Sequence, residues 1–167
     1  MLIQQKIGNI NSSPVKKNID WLELEWHETN KRILHKKTRS GKEVTMKFLR
    51  ENQNLTQGDI LFEDAETIIV VDIQPCEAIV IKPKNNFEMA AVCYEIGNKH
   101  LPLFYMEDEL LIAYEAPLFN LLSSSDYDVK KETRKLINPL KTSVASHAHI
   151  GSESLFSKIM KLSTSTE

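Results

Sequence analysis

The sequence predicts an α+β protein: a small β-rich barrel or sandwich, then a ferredoxin-like βαββαβ domain, then a flexible tail. Three observations lead there. Across residues 1–75, apolar and polar side chains alternate with period two between turn signals, the pattern of strands with one wet face. Gln74-Pro75 breaks that pattern, because proline has no main-chain donor and holds its predecessor extended. Beyond it, strand and helix signals follow in the order β-α-β-β-α-β. The expected divisions are residues 1–75, 76–140 and a tail over 141–167.

Taken in order, residues 21–26 (WLELEW) alternate cleanly, and residues 32–36 are expected to return as the second strand of a hairpin around Glu28-Thr29-Asn30. Ser40-Gly41-Lys42 marks a turn, residues 43–49 alternate again, and Gly58-Asp59 and Asp64-Ala65 introduce the runs 60–62 and 67–71. In the second half, residues 76–82 (CEAIVIK) read as a mostly buried strand, with Asn86 as a helix N-cap. Phe87, Ala90, Ala91, Tyr94 and Asn98 recur at one-face helical spacing. Gly97 and Leu101-Pro102 close that helix. Residues 103–106 and 109–113 flank Glu107-Asp108 as a hairpin. A second helix over 117–123 and a charged strand over 127–137 complete the order. In the tail, residues 154–162 have helical spacing but are too few for a lone helix. They are either disordered or fold against a partner.

Bulk composition excludes several functions. With 41% hydrophobic and 26% charged residues, the 167-residue chain has an ordinary globular balance. Its formal charge of -2 provides no net basic field for nucleic acid or an anionic membrane. No apolar run approaches the ~18 residues of a bilayer span. The N-terminus lacks the charged start and apolar stretch of a secretory signal, so the cytoplasm is expected, where thiols stay reduced. Cys76 and Cys93 are too far apart, and too isolated, for a zinc finger. They read as small buried hydrophobes.

Catalytic signatures are missing: the chain has no GxSxG, P-loop or GxGxxG, and no enzyme is expected. The five histidines divide. His27 and His35 read as surface or edge residues. His100 follows the helix-ending signal, where a histidine either caps the helix carbonyls or reaches a metal from a rigid base. His147 and His149 form a His-Ala-His pair; alternate residues of an extended chain face one side and can chelate one ion. Imidazole suits nickel, copper and zinc. One fixed histidine with a tail pair is an incomplete site, which a two-fold axis would double.

Several segments occur together in register. Residues 94–103 (YEIGNKHLPL) resemble the GN[RK]H-x-P signature of the urease accessory protein UreE family. Residues 39–44 and 55–61 resemble that family's RT-x-SG-x-E and L-x-x-GD-x-L segments, and residues 108–111 with 118–122 its following hairpin and helix. The resemblance implies a β-rich peptide-binding-like domain joined to a ferredoxin-like, metal-binding domain that forms a homodimer. It implies Ni(II) as cargo, delivered for urease maturation with the accessory GTPase and the urease apoprotein complex. It maps the interfacial histidine onto His100 and the assisting tail histidines onto His147 and His149. Zn(II) and Cu(II) are the expected competitors. The competing reading is a metal-independent peptide- or protein-binding module in urease assembly. A metal-dependent hydrolase ranks last, since no compact set of three ligands is visible in the sequence. The chain departs from many relatives in lacking a long His-rich tail and a histidine near Glu95.

Overall fold

A computed structural model describes residues 1–12, 16–49 and 54–140. The N-terminal β domain consists of two sheets. One has the order β1-β5-β4, with β1 at Leu2–Ile3, β4 at Ile33–Lys37 and β5 at Glu43–Lys47. The other has the order β2-β6-β7-β3, with β2 at Gly8–Asn9, β3 at Asn18–Leu24, β6 at Asp59–Glu63 and β7 at Thr67–Ile73. In β3, β5 and β6 the alternation turns one set of side chains inward, whereas residues 68–71 of β7 are all buried. Leu22, Leu24, Val44, Met46, Leu61, Ile69 and Val71 meet in one core with Phe48 and Leu55. Each such side chain contributes about 1.5–3 kcal/mol on leaving water. Of barrel and sandwich, the arrangement is a sandwich.

The expected hairpin between residues 21–26 and 32–36 does not form. β3 pairs in parallel with β7, and β4 pairs antiparallel with β5 in the opposite sheet. The reason is local. Residues 26–28 wind into a 3-10 turn whose capping box has the Glu25 N–H donating to Glu28 Oε2 at 3.0 Å. Glu28 is itself buried and takes an ion pair from Lys36 Nζ at 2.7 Å. That turn moves the chain from one sheet to the other. Period-two alternation specifies a face, not a partner.

Two turns with family-like sequence prove to be structural. The buried Asp20 carboxylate accepts the Ser40 N–H at 3.0 Å and the Ser40 hydroxyl, pinning the turn after β4. Gly58 has φ +82°, and a Cβ there would sit 2.9 Å from Ile10 Cγ1, so only glycine fits. The adjacent Asp59, 2% exposed, accepts from Thr56 N–H, Asn9 Nδ2 and Lys6 Nζ.

The C-terminal domain runs β8 (Cys76–Ile81), α1 (Asn86–Asn98), β9 (Phe104–Met106), β10 (Glu109–Ala113), α2 (Ala116–Ser124) and β11 (Val129–Arg134). Its sheet order, β11-β8-β10-β9 with every pair antiparallel, is ferredoxin-like. The two-residue link Glu107-Asp108 has φ values of 52° and 63°, as a primed hairpin turn requires. Tyr105 donates its hydroxyl to Asp108 at 2.6 Å beside it. The N-cap is Asn85 rather than Asn86; its Oδ1 accepts the Glu88 N–H at 2.9 Å.

Both faces of this sheet are covered. On one face, Ile79, Ile81, Leu110 and Ile112 pack against Val92 and Ile96 of α1 and Leu118 and Leu122 of α2. On the other, Ala78, Val80, Phe104 and Leu111 pack with Leu136 and with Trp26 from the N-terminal domain. Trp26 meets Phe104 edge-on, with ring centroids 5.7 Å apart, and also packs against the N-terminal core. Asp72 of β7 ties the domains electrostatically by accepting from Lys135 Nζ at 2.6 Å.

Candidate metal site at the end of α1

The helix α1 carries two apolar stripes. Met89, Val92, Cys93 and Ile96 face the core. The stripe expected from spacing to be buried points the other way: Phe87 is 85% exposed and Tyr94 74%, with Ala90 and Asn98 also exposed. Both stripes obey the helical period, so periodicity alone cannot choose between them. The β-branched Val92 and Ile96 were the available signal for the packed side.

His100 lies just beyond the end of this helix. Lys99 is the C-cap, and His100 follows it with φ 55°, in the left-handed region. Its N–H donates to Gly97 O at 3.0 Å. Glycine usually fills this position because a Cβ is penalised there. Here Gly97 sits inside the helix and histidine takes the strained place. Leu101 then packs onto the cluster that holds Ile96, the hydrophobic contact that accompanies such helix ends. The backbone of His100 therefore does the capping, while its imidazole is exposed.

The candidate ligands among the described residues do not converge within one chain. Among the described residues, no group of three His, Cys, Asp or Glu side chains is placed to hold a metal. His27 and His35 are exposed on the N-terminal domain. Burial raises the thiols of Cys76 and Cys93 above their usual range, which disfavours the thiolate a metal requires. His147 and His149 lie outside the described residues, as does the segment 154–162. The last described residues before them are nonetheless anchored to the segment that follows His100. The Leu140 N–H donates to Leu103 O at 2.8 Å, and residue 139 bridges to Phe104. His147 lies seven positions beyond Leu140, and an extended chain of that length spans about 25 Å.

Comparison with known proteins settles the family. The chain matches the UreE urease accessory protein N-terminal domain over residues 3–74 and the C-terminal domain over residues 76–154. The chain belongs to the UreE urease accessory protein family. It is 47% identical over 163 residues to the urease accessory protein UreE of Flavobacterium johnsoniae, covering 97% of this chain and 99% of that one. It is 41% identical over 127 residues to the UreE of Actinobacillus pleuropneumoniae, covering 76% and 68%. Against the UreE of Acetivibrio thermocellus it is 35% identical over 150 residues, covering 89% and 97%. The UreE family is one of accessory proteins, and no helix among the described residues is long and apolar enough to cross a membrane.

Proposed function

We propose that the chain is a cytoplasmic nickel metallochaperone. Two copies meet along the bare stripe of α1, and the two His100 imidazoles approach one Ni(II) ion as cargo. Exposed Phe87 and Tyr94 give that contact its apolar centre. The tail histidines His147 and His149 complete and gate the site, and the metal passes by ligand exchange to the accessory GTPase and the urease apoprotein. A domain division at residues 75 and 76 belongs to this reading, with the first domain serving partner contacts and the second metal and dimer contacts. Zn(II) and Cu(II) compete at such a nitrogen site.

The observation that carries the reading is the placement of His100: exposed, held in a left-handed backbone, and at the end of a helix with an uncovered aromatic stripe. The anchoring of Leu140 beside Leu103 supports the tail's part. Nickel titration by calorimetry, with light scattering, tests it. One nickel per two chains is expected, with loss of that site in His100→Ala. Unchanged affinity in His100→Ala overturns the proposal.

A further inference from the structure

We propose that the outer edge of β4 docks an acidic, extended segment of a partner protein, taken up as an added strand. The strand register identifies the groups that would bind it. The Phe48 N–H donates to Arg32 O at 2.8 Å and the Thr38 N–H to Lys42 O at 2.9 Å. With Leu34 opposite Met46 and Lys36 opposite Val44, the even-numbered residues of β4 bond to β5. Ile33, His35 and Lys37 therefore turn their main-chain N–H and C=O groups away from β5. Among the described residues no strand lies on that side. Such a row is a template for another strand.

Charge selects the occupant. Residues 31–47 contain seven lysines and arginines against one acid, Glu43, although the whole chain carries -2. Glu28 reaches into the cluster to pair with Lys36, and Glu23 and Asp72 to pair with Arg39, which still leaves three more cations than anions, from seven less four. Lysines on an edge also guard against self-pairing. Here the guard and the selector coincide, because charges that repel a second β4 attract a carboxylate-rich strand. Ile33, 50% exposed at the start of the edge, offers an apolar contact between the acidic positions. An open groove of about 440 Å³ runs beside it, lined by His35, Lys36, Lys37, Glu43, Val44 and Thr45.

The probe is a short fluorescein-labelled peptide of alternating glutamate and valine, followed by anisotropy with the full chain. Saturable, salt-sensitive binding is expected, with slowed amide exchange at Ile33, His35 and Lys37. A version N-methylated at alternate residues should bind at least about tenfold more weakly, since it loses main-chain donors. His35→Pro removes an outward donor without touching the β5 ladder and should weaken binding by a similar factor. The double change Lys37→Glu with Lys47→Glu tests the charge should the proline variant melt early. Nickel titration of these variants should match the parent, which separates this site from His100. Absence of peptide binding, equal binding of the N-methylated peptide, or parental binding by the charge-reversed variant overturns the proposal. So does binding of single-stranded oligothymidylate where the peptide does not bind.

Discussion

Replacing His100 with glycine should raise stability while removing the proposed metal ligand. A side chain in the left-handed region costs about 1–2 kcal/mol relative to glycine, with histidine better tolerated than most. Glycine gives back about 0.4–1 kcal/mol through the greater freedom of the unfolded chain. For a residue at φ 55°, the difference is a net gain of about 0.5–1 kcal/mol. In a chain of this size that corresponds to a rise in melting temperature of about 1–4 °C. The assay is thermal unfolding in chelator, because bound nickel would itself stabilise the parent. His100→Ala is the control, since it removes the imidazole but keeps a Cβ in the strained position. The expected order of melting temperature is glycine above parent, and glycine above alanine, with nickel binding lost in both. A glycine variant that melts below the metal-free parent would refute the reasoning about strain. Retained nickel affinity would refute the assignment of the imidazole.

Tyr94→Glu, on the exposed stripe of α1, should shift the chain to a monomer by light scattering while leaving the far-ultraviolet dichroism unchanged. Trp26→Ala should cost about 3 kcal/mol in urea unfolding, because the ring packs against both domains; a loss under about 1 kcal/mol would show that the ring is not needed at the junction. Burial pushes the Asp72 carboxyl up, but the hydrogen bonds from Lys135 and Gln57 outweigh it and hold the group below the usual carboxylate range. Its contribution to stability is thus present above the ordinary carboxylate range and lost as pH falls through the lowered value. Asp72→Asn should flatten the acid limb of a stability-pH profile, and an unchanged acid limb would count against that role.

The order of the C-terminal domain was legible because its punctuation is local. The turn at residues 83–86, Leu101-Pro102 and Glu107-Asp108 each stop or start an element through local chemistry, although the cap itself falls on Asn85 and not on Asn86. The partner of β3 was not legible, since a parallel pairing with β7 depends on where the intervening chain travels. The packed face of α1 was hidden for a different reason: two stripes share one period, and aromatic residues occupy the outer one. At the site, the signature around His100 was visible but its backbone was not. Gly97 drew the role of helix terminator while the left-handed position fell to the histidine. The basic run from residue 31 to residue 47 stood in plain sequence, yet a net charge of -2 averages it away. Only the strand register reveals that it borders an open edge.

The position of Trp26 has a consequence for how the chain acquires its structure. Its ring belongs to the first domain by sequence, but it also packs against the cluster of the second that contains Phe104 and Leu136. During synthesis the sandwich therefore emerges with an indole side unmatched until the last strand has been made. The two halves should then melt in one cooperative transition rather than two, and the isolated first half should expose a sticky aromatic patch that the complete chain conceals.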